Sequence, residues 1–133
     1  MTGPFAFSPN TVPAMLQQRA LHAAQARAFC FPEHGQVYSW AQLWHETRQL
    51  AEGLLQLGVV KGDRVAVLME GRVELILVLL AVVSIGGVAV PLNPYSTRDE
   101  LQTYCLDARP VALLMGAATQ LTPAALAAEP GAD

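Results

Sequence analysis

Residues 61–92 read KGDRVAVLMEGRVELILVLLAVVSIGGVAVPL, and the fold turns on this stretch. Arg64 to Met69 is an apolar run short enough to be a buried strand, entered through the polar turn Lys61-Gly62-Asp63 and broken by Glu70-Gly71-Arg72. Glu74 to Ile85 then reads as an almost wholly apolar helix, the kind normally enclosed on every side. Gly86-Gly87 closes it, and Val88-Ala89-Val90 is a second buried strand ended by Pro91. Strand, helix and strand in that order form a parallel pair through a right-handed crossover. A rival reading starts from the absence of charge between Leu75 and Leu92, a length that flags a membrane span. The glycine pair and Pro91 interrupt it, leaving a helical part near the roughly 10 to 14 residues of a buried core helix. Two buried elements, and no membrane partner, are therefore expected.

The pattern repeats outward. Thr97-Arg98-Asp99-Glu100 is a capping box, and Leu101, Tyr104, Cys105 and Ala108 share one face of the helix it starts. Arg109-Pro110 ends that helix, and Val111 to Met115 is a third buried strand. On the other side, Ser39-Trp40-Ala41-Gln42 is also a capping box. Leu43, Thr47, Leu50, Ala51 and Leu54 follow at helical spacing, with Glu46, Gln49, Glu52 and Gln56 opposite and Gly58 as the stop. Ala28 to Phe31 and Val37-Tyr38 flank a Pro32/Gly35 turn as a short two-stranded excursion. Thr11-Val12-Pro13 starts a helix running to Arg27, with Leu16, Ala20, Ala23 and Ala24 on one face. The class is α/β, a mostly parallel sheet flanked by helices. A complete sheet of this kind has about five or six strands. Three core strands make the unit look incomplete.

Composition narrows the function. The chain has 133 residues, enough for one domain or the opening of a larger one, and is 53% hydrophobic but only 14% charged. Its surfaces expect a cover. The net charge is −3 and the basic residues stand singly, which excludes the basic footprint of a nucleic-acid binder. The start of the chain lacks a basic region ahead of an apolar one, so no secretory signal is read and a cytoplasmic location is expected. Cys30 and Cys105 lie far apart, without the spacing of a zinc site or disulfide framework; their apolar neighbours suggest buried, inert thiols. His22, His34 and His45 are too dispersed for a metal site and read as surface residues. Trp40 and Trp44, one helical turn apart, read as packing.

Three fragments in order carry a resemblance: residues 38–43 (YSWAQL), 57–68 (LGVVKGDRVAVL) and 86–94 (GGVAVPLNP). Together they resemble the opening of the AMP-binding, or adenylate-forming, enzymes, over about residues 11–115, with 116–133 a low-information Ala/Thr/Pro-rich tail. Residues 93–101 (NPYSTRDEL) are most like the corresponding stretch of acyl-CoA synthetases. Glu70-Gly71-Arg72 and Gly87 depart from the common pattern, which has an asparagine-serine turn and an alanine there. The resemblance implies the N-terminal portion of such an enzyme's large domain. It also implies ATP, Mg and CoA as cofactors of a complete protein, none of them held by this chain. In the family the phosphates are cradled by a Ser/Thr/Gly-rich loop ending in lysine, and a second lysine sits in a C-terminal domain. Here Lys61, the sole lysine, lies in a polar turn, and no such loop occurs. No catalytic, cofactor-binding or metal-ligating residue is therefore assigned. The expected partner is the remainder of the enzyme or a second copy. Two other readings stay open: a fragment of an amino-acid adenylation domain, and a non-catalytic binding or oligomerisation module on the same scaffold.

Overall fold

The structure is a computed structural model that describes residues 7–116. Helix α1 (Val12–His22) leads into a hairpin of β1 (Arg27–Phe31) and β2 (Gln36–Ser39), joined by a 3₁₀ turn at Pro32–His34. Then come α2 (Trp40–Gln56), β3 (Arg64–Leu68), α3 (Val73–Ser84), β4 (Val88–Leu92), α4 (Arg98–Ala108) and β5 (Ala112–Met115). β1 and β2 pair antiparallel, while the other three strands form a parallel sheet in the order β4-β3-β5. The described residues are thus α/β with a three-stranded parallel sheet, a partial domain as expected.

Both capping boxes form. Ser39 Oγ accepts from the Gln42 amide at 3.1 Å while Gln42 Oε1 accepts from Ser39 N–H at 3.0 Å. Thr97 and Glu100 repeat the arrangement at the start of α4. Each box satisfies two amides that the first turn of a helix leaves open. Helix α2 stops where Gly58 takes φ +91°, and α4 stops with Arg109 in the left-handed region at φ 49°.

The core has two layers around β3. Val65 and Val67 point to the side of α2 and α3, against Leu54, Val78, Ala81 and Val82. Leu68 points to the other side, where Leu101 of α4 packs with Leu92, Leu113 and Met115 beside it. A third cluster joins α1 to the far side of α3 through Leu16, Leu43, Trp44, Val73 and Leu77. Helix α3 belongs to two clusters at once, which is why it is apolar nearly all round. The tight α3–β4 turn needs its glycines. Gly86 has φ +76°, and a Cβ on Gly87 would lie 3.0 Å from Val82 Cγ1 and 3.1 Å from Val82 O.

Several expectations need correction. Helix α1 ends at His22, short of Arg27, because the Ala24 and Ala26 carbonyls turn to accept the Ala41 and Trp40 amides of α2. Pro91 does not end β4 but pairs opposite Val67 within it. β4 is an edge strand among the described residues, where a proline without an N–H is tolerated. For the same reason β4 is only half-buried, with Val88 exposed. Leu50 and Tyr104 are exposed, leaving Leu101 and Gln102 as the buried residues of α4. As expected, Leu75 to Leu92 divides into α3, a glycine turn and β4, and no helix among the described residues is long and apolar enough to cross a membrane.

Candidate functional site

Parallel strands in register place all their C-terminal ends on one edge of the sheet. Leu68 of β3 lies beside Leu92 of β4 and Met115 of β5, so the loops that follow leave from the same edge. In open α/β sheets this edge is where ligands bind. It is built here from residues 69–72, residues 93–97 and Gly116, whose amide donates to Leu68 O at 3.1 Å. Asn93 shapes the second loop: its side-chain oxygen accepts from Tyr95 N–H at 3.0 Å and its carbonyl from Ser96 N–H at 3.1 Å. Tyr95 is left projecting into solvent. Sequence reasoning treated both loops as chain breaks. Their departure from one end of the sheet follows from the register of β3 with its two neighbours, which no local pattern encodes.

The chemistry on this edge is spare. A triphosphate needs several free backbone amides and a fixed cation. At the start of α4 the Thr97 and Glu100 amides are already held by the capping box, and Asp99 and Glu100 add negative charge to the first turn. The first turn of α3 carries Glu74. Lys61 lies in the turn before β3, at the opposite end of the sheet, about 15 Å away at the strand's ~3.3 Å per residue. Its stem rests on Gly86. Lys61 therefore supports a turn; the cations at the strand ends are Arg72, the N-cap of α3, and Arg98, the first residue of α4.

The remaining candidates are also dispersed. His22, His34 and His45 are exposed on separate elements, and no group of His, Cys, Asp and Glu among the described residues is arranged to hold a metal. Trp44 is buried with its ring edge-on to Phe7 at 5.7 Å, and the Arg19 guanidinium lies 5.9 Å from the centre of the Trp40 ring. Both tryptophans pack α2 against α1, as expected. Burial, with the carboxylates of Glu46 and Glu74 nearby, pushes the Tyr38 hydroxyl above its ordinary range. The opposite end of the sheet is clasped: Arg64 Nε donates to the Ala108 carbonyl, and Val111 N–H to Arg64 O at 2.8 Å.

The cysteines differ from each other. Cys105 is partly covered and burial raises its thiol, whereas Cys30 is exposed on β1, contrary to the buried thiol expected. Ala28, Phe29 and Phe31 of β1 pack against the α1–α2–α3 cluster, while Cys30, on the other face of the hairpin, meets water. Alkylation with iodoacetamide near neutral pH should modify Cys30 more than about tenfold faster than Cys105. Mass spectrometry of timed digests reads this directly, and equal rates would show α4 detaching from the sheet.

Comparison with known proteins agrees with this scaffold. A family model described as AMP-binding enzyme matches residues 16–132. The long-chain-fatty-acid–CoA ligase FadD13 of Mycobacterium tuberculosis is 32% identical over 103 residues, covering 77% of this chain and 20% of the ligase. A 2-succinylbenzoate–CoA ligase of Bacillus cereus is 35% identical over 105 residues, covering 79% and 21%. The chain thus spans about a fifth of the length of these relatives. Among solved structures, the inhibitor-bound N-terminal domain of FACL13 from Mycobacterium tuberculosis matches with a TM-score of 0.74 and 32% identity, over 78% of this chain and 26% of that one. With the strand–helix–strand core, the strand order and the family match in agreement, the chain belongs to the AMP-binding enzyme family and corresponds to the N-terminal part of an adenylate-forming enzyme.

Proposed function

We propose that this chain is the opening scaffold of a cytoplasmic, ATP-dependent acyl-CoA ligase acting in fatty-acid metabolism, and that it is inactive by itself. In the reaction, a carboxylate oxygen attacks the α-phosphorus of ATP, giving an acyl-adenylate and pyrophosphate. A CoA thiol then attacks the acyl carbonyl, forming the thioester as AMP leaves and the thiol proton passes to solvent. The observation that carries the reading is the match to two CoA ligases over more than three quarters of this chain. The chain's own role is to set β3, β4 and β5 in register, so that the loops after them face one crevice. ATP, Mg and CoA belong to the groups that complete that crevice, and the remainder of the enzyme is the proposed partner.

Without the family's Ser/Thr/Gly-rich loop and its lysine, which this sequence does not carry, the charge that develops on the phosphates goes unstabilised. Purified chain incubated with ATP, magnesium and a long-chain or aromatic acid should release no pyrophosphate above the no-enzyme rate in a coupled assay. Release that co-purifies with the chain and saturates with the acid would place a catalytic site within the 133 residues.

A further inference from the structure

We draw no further inference here: the strongest candidate, the largely apolar cavity of about 730 Å³ between the start of α1, the end of α2 and the end of α3, with Lys61 as the charged residue of its lining, carries nothing because nothing in the structure shows what covers it.

Discussion

Val67→Asp abolishes cooperative unfolding: the variant chain shows no sigmoidal denaturant transition and loses the helical circular dichroism of the native protein. Val67 lies at 0% exposure in the central strand, opposite Pro91 on one side and Leu114 on the other. Its side chain is enclosed in the cluster of Leu54, Val78, Ala81 and Val82, among which no polar partner stands. A carboxylate there either stays charged and unpaired or takes up a proton, and in both cases the cost is several kcal/mol. Domains of this size hold only about 5 to 15 kcal/mol in total. Val60→Asp, at an exposed residue in the turn before the same strand, is the control and should change stability by less than about 0.5 kcal/mol. A cooperative transition in Val67→Asp close to that of the native chain would mean that β3 is not the centre of the core.

Leu101→Ala should cost about 3 kcal/mol, and the loss should fall on α4 first. Leu101 is the fully buried apolar residue of that helix and covers Leu68 on the face of the sheet that α4 alone protects among the described elements. Truncation leaves a cavity over Leu68, Leu113 and Met115 that the short helix cannot close without leaving its capping box. Tyr104→Ala, on the exposed side, should lie within about 0.5 kcal/mol. Urea melts give the magnitude. Hydrogen exchange should show α4 opening ahead of α2 and α3. A loss below about 1 kcal/mol would show that α4 contributes little to holding the sheet.

Much of this fold was legible because its signals are local. The capping boxes at Ser39 and Thr97 depend on residues three apart, and both helices start where those pairs place them. The apolar strands at Val65, Val88 and Leu113 and the glycine turn at Gly86 were likewise readable from short windows. The misreadings are tertiary in origin. Pro91 looks like a terminator until β4 is known to be an edge strand. Arg27 looks helical until α2 claims the Ala24 and Ala26 carbonyls. Cys30 and Tyr104 look buried because their neighbours are apolar, yet the open face of the hairpin and the outer side of α4 leave both in water. The shared end of the strands is not legible locally for a similar reason: residues 69–72 and 93–97 leave from the same end of the sheet only through strand register. Lys61, which the sequence places in a polar turn, lies in the fold before β3, at the end of the sheet away from the strand C-termini.

A scaffold with three parallel strands that matches only about a fifth of the length of its family relatives gives a positive expectation for what accompanies it. Sequencing the transcript beyond the Asp133 codon, then assaying the product for exchange of labelled pyrophosphate into ATP with a long-chain acid, tests the account most directly. The account predicts an in-frame continuation through a Ser/Thr/Gly-rich loop ending in lysine, and exchange that requires the acid. A stop codon directly after Asp133 with no such loop encoded nearby, or a folded longer product without exchange, would contradict it.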